Sequence, residues 1–291
     1  MQKIGIIGFG RIGTALAVSL SRCGYLVQVV RRNQKLTKTS PVQGKEFMIT
    51  SLEKIALQAE VLFITTPDDV IQSVVEKLQK NPISCKAVLH LSGSLSSEIL
   101  LPLKDKGILT GSLHPLQSFP NVEQAVSNFP GSFFTYEGNP KLLPWIAELV
   151  SSLGGILKIL PSTEMKVIYH AGAVFVSNYM VGLASLGSEC LKKAGFSDEE
   201  AREALLPLMK GTLNNLMAMS PEKALTGPIS RGDAGVIDSH LQIFRQYLPE
   251  ALPAYCAMAE VLAKISVQSG KITNAQEEEI YKLIKGGGCN E

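Results

Sequence analysis

The chain has 291 residues, enough for one large or two medium domains with a sizeable core. Its 45% hydrophobic and 19% charged residues exclude a disordered chain, and a net charge of +2 without a basic stripe gives no footing for nucleic acid. The five cysteines, Cys23, Cys85, Cys190, Cys256 and Cys289, are scattered without a C-x-x-C pair, which favours reduced thiols in a cytoplasmic protein over disulfides or a metal site.

The apolar N-terminus begins a strand and carries no charged n-region or cleavage site, so it does not read as a signal peptide. Lys3–Ile7 is predicted as a short buried strand. Gly8-Phe9-Gly10-Arg11-Ile12-Gly13 follows at once, then an Ala/Leu-rich helix over residues 12–23 and a second strand, Leu26–Val30. In this strand–turn–helix–strand context each glycine of the G-x-G-x-x-G string has a steric task. Gly8 allows the tight turn, Gly10 lets the backbone approach a pyrophosphate, and Gly13 lets helix and strand pack closely. The helix N-terminus offers free N–H groups and a positive dipole end to the phosphates. Arg31 and Arg32 stand where an acidic residue would hold an adenosine ribose. Two guanidinium groups there point to a 2′-phosphate, hence to NADP(H) rather than NAD(H); the other reading is a solvated basic strand end.

Residues 33–45 read as a polar loop, 46–50 as a short strand and Leu52–Gln58 as a short helix. A buried strand over 61–65 leads to Thr66 and Pro67, and Pro67 suits the start of a helix to about residue 79. A strand over 87–91 exits through Ser92-Gly93-Ser94 into a helix over 96–104. Strands follow at 108–112, 132–136 and Ile156–Ile159, with a loop after His114-Pro115 and a helix over 140–153. Alternating strands and helices argue for a mainly parallel, doubly wound sheet.

Beyond Pro161 no further strand is predicted. A long helix over 162–194 stops at Gly195, and Ser197 with Glu200 forms a capping box opening the next helix. Residues 220–235 are a Pro/Gly-interrupted loop, and helices continue to about residue 284, with a second capping box at Thr273 and Gln276. The expected class is α/β: a doubly wound dinucleotide-binding domain over 1–161, an all-α substrate and dimerisation domain over 162–286, and a tail over 287–291.

Residues 167–188 contain no Lys, Arg, Asp or Glu and are long enough to span a bilayer. His170, Ser177, Asn178 and Ser185 interrupt the run, and the surrounding chain reads as soluble, so no membrane is expected. Such a helix also forms the centre of a helical domain or of a homodimer. The homodimer is the expectation here, with Ala171, Gly172, Gly182 and Gly187 allowing close helix approach.

The arrangement resembles the 6-phosphogluconate dehydrogenase-like superfamily, which includes pyrroline-5-carboxylate reductases, ketopantoate reductases and prephenate dehydrogenases. Three strings narrow it: GSLHPLQSF (111–119), YHAGAVFVSNY (169–179) and LTGPISRGDAG (225–235). Together they are similar to one bacterial family that joins a Rossmann-like NADP-binding domain to a helical C-terminal domain of unknown function. The resemblance implies a fold, an NADP(H) cofactor and an oxidoreductase; it does not supply a substrate.

Ligands in open α/β sheets sit beyond the carboxyl ends of the strands. Thr65, Thr66, Pro67, Ser92, Gly93, Ser94 and His114 all follow predicted strands, so they are candidates for the nicotinamide half of the cleft, or else ordinary turn residues. His114 is one candidate for proton transfer, because imidazole titrates near neutrality; the alternative is a structural histidine. A His-Pro in a similar place is found in prephenate dehydrogenases, the second enzymatic reading. His170 and Ser177 share a helix face with Asn178 on its flank. Superfamily members acting on sugar acids or β-hydroxyacids place a Lys four residues before such an Asn; here that position is Val174. His170 is therefore expected to substitute, with Asn178 holding a substrate carbonyl or imine. Alternatively the two are a polar pair satisfied in the helical core. Arg231 suits a substrate carboxylate or phosphate with Asp233 orienting it; alternatively Asp233 caps the next helix and pairs with Arg231. His90 and His240 read as structural. The expected function is an NADPH-dependent reductase of a small acid, imine or carbonyl compound bound between the domains. The missing lysine motivates an alternative, a non-catalytic NADP(H)-binding sensor.

Overall fold

The computed structural model describes residues 2–31, 39–42 and 44–286. The chain forms two compact units, Met1–Asn178 and Tyr179–Glu291. The division thus falls after Asn178 and not at Pro161, and the first half of the expected long helix belongs with the sheet.

The first unit is built on a nine-stranded sheet. Its strands are β1 (Lys3–Ile7), β2 (Leu26–Val30), β3 (Thr39–Val42), β4 (Lys45–Ile49), β5 (Val61–Ile64), β6 (Ala87–His90), β7 (Leu109–Pro115), β8 (Phe133–Gly138) and β9 (Ile156–Ile159). Their order is β3-β4-β2-β1-β5-β6-β7-β8-β9. The helices are α1 (Arg11–Arg22), α2 (Leu52–Gln58), α3 (Asp68–Lys80), α4 (Val122–Asn128), α5 (Leu143–Ser152) and α6 (Glu164–Val176), and Ser197's predecessor α7 (Asn178–Lys193) follows at the unit boundary. Ser97–Lys106, expected as an α-helix, is 3-10 with Pro102 inside it.

Both faces of the sheet are covered, as a parallel sheet requires. Side chains alternate along each strand. Ile4, Ile6, Val61, Phe63, Ala87 and Leu89 join the core under α1 and α5. Ile7, Leu62, Ile64 and Val88 join the opposite core with Ile71, Val75 and Leu78 of α3. The pairing is parallel except at two places, β3 with β4 and β7 with β8. Neither reversal was expected. The supposed loop over 33–45 contains β3, and the strand ending at 112 continues through His114 and Pro115, because β8 pairs with it as far as Pro115↔Phe134. His114 therefore lies within a strand and not just past one.

The long helix is interrupted. Ser177, at φ −112° and ψ −70°, caps α6, and α7 restarts at Asn178. Ser177 sits at the break itself, so His170 and Ser177 do not lie on one continuous helix face. The run Glu164–Lys193 is long and apolar enough to cross a membrane by length and composition.

The second unit contains α8 (Asp198–Ala218), α9 (Pro221–Ala224), α10 (Ala234–Tyr247), α11 (Leu252–Gln268) and α12 (Asn274–Gly286). The Ser197–Glu200 capping box forms in both directions, at 2.8 and 3.3 Å. Thr273 and Gln276 form the second box. Ile237 and Leu241 of α10, Ala259 and Ala263 of α11 and Ile280 and Ile284 of α12 make its core. Cys23, Cys85 and Cys190 are free thiols; Cys289 lies outside the described residues.

Candidate active site

The crossover in strand order falls between β1 and β5, since the chain leaves β1 towards β2 and later returns to its other side. At the carboxyl ends of these strands lie the glycine loop and Thr65–Thr66. Gly8 has φ +108°, a conformation that favours glycine, and a side chain there would meet the Thr66 amide at 2.8 Å. A side chain at Gly13 would overlap the Gly8 carbonyl oxygen and the Thr65 hydroxyl. Thr65 donates that hydroxyl to the Gly8 carbonyl at 2.5 Å, so it ties β5 to the loop. At Gly10 an added Cβ would meet nothing within 4 Å.

These residues fit a dinucleotide. The open space over Gly10 admits a pyrophosphate, and α1 begins there with no side-chain cap and no acidic residue in its first turn. Its first N–H groups are thus left for an anion. The buried Thr66 hydroxyl oxygen has no hydrogen-bond partner. Phe9 packs edge-on against Phe47 at 5.7 Å, Ile12 packs on the core, and Arg11 donates to the Pro120 carbonyl at 3.2 Å. The Gly8 amide donates to the carbonyl of Val30, at the end of β2, which sets exposed Arg31 beside the loop. Arg32 lies outside the described residues.

A second group of polar residues lies farther along the same edge. The hydroxyls of Ser92 and Ser94 donate to Asp68, at the start of α3, at 2.8 and 2.6 Å. Pro67 is the exposed N-cap of α3. His90 is fully buried; its Nδ1 accepts from the Ser92 amide and its Nε2 donates to the Ser96 carbonyl. Burial, then the charge of Lys166, pushes it down to about 4, so it is a neutral structural histidine.

Strand register places His90, Ser112 and Glu137 in one row across β6, β7 and β8. Lys166 of α6, only 1% exposed, caps this row. Its ammonium donates to the Ser112 hydroxyl and lies 3.7 Å from Glu137. Glu137 in turn accepts from the Ser97 amide and hydroxyl at 2.5 and 2.7 Å. Three and four residues after Lys166, on the same helix face, come Tyr169 and His170. The Tyr169 hydroxyl meets His114 Nδ1 at 2.7 Å, and the His114 and His170 rings stand edge-to-face at 6.4 Å. Both histidines close on Gly93: a Cβ built there would lie 2.8 Å from His114 Nε2 and 2.8 Å from His170 Nδ1. His170 Nδ1 is buried and unpartnered. Burial, then Lys166 and His170, pushes His114 down to about 3.

Of the expected site residues, the structure brings Gly93, His114 and His170 together. Ser177 and Asn178 are exposed at the helix break. Arg231 and Asp233 belong to the second unit. Asp233 accepts from the Val236 amide at 3.2 Å, so it caps α10, while Arg231 is exposed and makes none of the ion pairs among the described residues. Lys166 was missed. The lysine sought at position 174 is absent there, but a buried one stands eight residues earlier, just before the uncharged run begins. The Lys166-Tyr169-His170 spacing was its only sequence signal.

Residues 1–115 match the Rossmann-like domain family, and residues 132–262 match a family described as a domain of unknown function, DUF2520. The chain joins a Rossmann-like domain to a DUF2520 domain. Gly93 and His114 come from the first match, and Glu137, Lys166, Tyr169 and His170 from the DUF2520 match. An NAD(P)+ glycerol-3-phosphate dehydrogenase from Clostridium botulinum is 30% identical over 102 residues, so the match spans 31% of this chain and 31% of that relative. Protein TM1727 from Thermotoga maritima is similar in structure, with 26% identity and a TM-score of 0.71 over 91% of this chain and 98% of that one. A Plasmodium falciparum pyrroline carboxylate reductase with NADP bound has 17% identity and a TM-score of 0.56, over 90% and 98% of the two chains.

Proposed function

We propose that the protein is an NADP(H)-dependent oxidoreductase that reduces a small carbonyl, imine or acid substrate held over Gly93. The carrying observation is the convergence of His114 Nε2 and His170 Nδ1 on one point above Gly93, on the sheet edge that bears the glycine loop. Gly8, Phe9, Gly10, Arg11, Ile12 and Gly13 would hold the pyrophosphate, with Arg31 towards the 2′-phosphate. The NADP bound to the Plasmodium reductase and the NAD(P)+ dependence of the Clostridium relative support this cofactor. A reduced nicotinamide bound there supplies the hydride.

The chain's own residues supply orientation and the proton. Burial raises the Tyr169 hydroxyl above its ordinary value, so it keeps its proton and is taken as the donor to His114 Nδ1, 2.7 Å away. This assigns His114 the neutral tautomer with its proton on Nε2, directed at the substrate's oxygen or nitrogen. His114 would polarise the C=O or C=N bond, and His170 would deliver a proton to the heteroatom. The alternative, a non-catalytic NADP(H)-binding sensor motivated by the absence of a lysine at position 174, predicts tight NADPH binding without turnover.

A soluble, cytoplasmic homodimer fits the helical run better than a membrane span. Lys166 and Tyr169 commit the first half of the run to the sheet, while Val181 and Leu183 of α7 stay exposed for a second copy. The test of the function is a metabolite screen followed by NADPH absorbance, with His170→Ala as control. No turnover with any carbonyl or imine pool, or equal turnover by the variant, sinks the proposal.

A further inference from the structure

The buried Lys166–Glu137 pair has no part in the chemistry above, although it lies directly beneath it. A buried ion pair is weak evidence of stabilisation, because desolvation offsets the attraction. An apolar pair would hold α6 to the sheet as well, which directs attention to what the charge does to its neighbours.

We infer that Lys166 is a positioning residue: clamped between Ser112 and Glu137, its ammonium seats α6 on the sheet and adds to burial in holding His114 as a neutral hydrogen-bond donor. The inference rests on the reading that substrate sits over Gly93. Its geometry is local. Ser112 lies two residues before His114 on the same face of β7, and Lys166 lies one helical turn before Tyr169 and His170. A single docking contact therefore fixes three groups, namely the Tyr169 hydroxyl on His114 Nδ1, the His170 ring, and a positive charge under both.

Burial first, and then most of the charged or titratable groups facing His114, favour its neutral form. Lys166 and His170 from α6 and His90 from β6 all disfavour a proton on it, and only Asp68 at the start of α3 favours one. Glu137 from β8 is turned to Lys166 and Ser97. Lys166 is itself lowered to about 8 by burial, with Glu137 and Asp68 opposing, so it is charged at neutral pH. A cation held this close makes a second cation at His114 costly.

Ring-proton and ring-nitrogen NMR of the histidines in the full-length, cofactor-free protein tests this. The chain has four histidines, each assignable by one His→Gln replacement. In the wild type, His114 should stay neutral with its proton on Nε2 from about pH 8 to about pH 5. Its signals should also shift as Lys166 loses its proton near pH 8. In Lys166→Met the His114 pKa should rise by about one unit or more, a tenfold change in protonation. The double variant Lys166→Met/Glu137→Gln removes both charges at similar volume and should show the same rise if the single variant folds poorly. Wild-type His114 titrating in the ordinary histidine range, signals flat across pH 8, or an unmoved His114 in a folded variant would each overturn the inference. Because no turnover is measured, a failed metabolite screen leaves this result standing. A failed titration leaves the Gly93 subsite untouched.

Discussion

The Tyr169 hydroxyl lies 2.7 Å from His114 Nδ1, joining α6 to β7 through one hydrogen bond. The His170 ring also stands edge-to-face on His114, but the tautomer assignment depends on this hydrogen bond. Tyr169→Phe keeps the ring and removes the proton. Turnover should fall about a hundredfold, the low end of what a positioned acid or base contributes, with NADPH affinity unchanged. Steady-state rates beside a fluorescence titration check this; an unaltered kcat would count against a donor role for His114.

Gly93→Ala puts a methyl group 2.8 Å from both His114 Nε2 and His170 Nδ1. Something must shift, and the imidazoles are what stands there. The variant should lose most activity, by about a hundredfold or more, and still bind NADPH, since the glycine loop is elsewhere. Loss of cofactor binding with activity per bound cofactor intact would contradict the placement of the subsite.

Arg31→Ala should weaken NADPH by about 1.5–3 kcal/mol, the worth of a hydrogen bond to a charged group, and leave NADH nearly unchanged. Calorimetric titration of both cofactors decides it. Equal loss for both would remove the 2′-phosphate assignment.

Acid should destabilise the fold in a defined window. His90 and His114 have folded values near 4 and 3, both below their ordinary value of 6.5. The unfolded chain therefore binds more protons than the folded one between these limits, and stability falls as pH drops from about 6.5 towards 4 and then 3. Each tenfold difference in protonation is worth about 1.4 kcal/mol. Urea midpoints at several pH values should slope downward in acid. His90→Gln should flatten the slope, and an unchanged slope would show that His90 is not the proton acceptor.

Much of this arrangement was legible in the sequence, and the reasons for the rest are physical. The glycine loop, Leu52–Gln58 and Ile156–Ile159 are set by local sterics and periodicity, and they stand where expected. Strand direction is not local. Nothing within residues 132–136 says that β8 runs against β7, or that β7 reaches Pro115. The helix break at Ser177 has no glycine or proline to announce it. Lys166 shows the limit best, because its partners Ser112 and Glu137 are distant in sequence. A lone lysine at the edge of an apolar run reads as solvated until those strands are paired.

The Ser112↔Glu137 register carries a consequence for how this chain can vary in length. The largely exposed stretch over 116–121 can absorb insertions and deletions, whereas Ala125, Val126 and Phe129 bury α4 and its end in the core. Inside β8 the frame is fixed, since a slip of one residue turns Glu137 to the opposite side of the sheet. That would strand a lysine cation in the interior without its carboxylate, at a cost of about 3–5 kcal/mol. Length variation among natural relatives that keep this lysine should therefore spare the strand and gather in that exposed stretch.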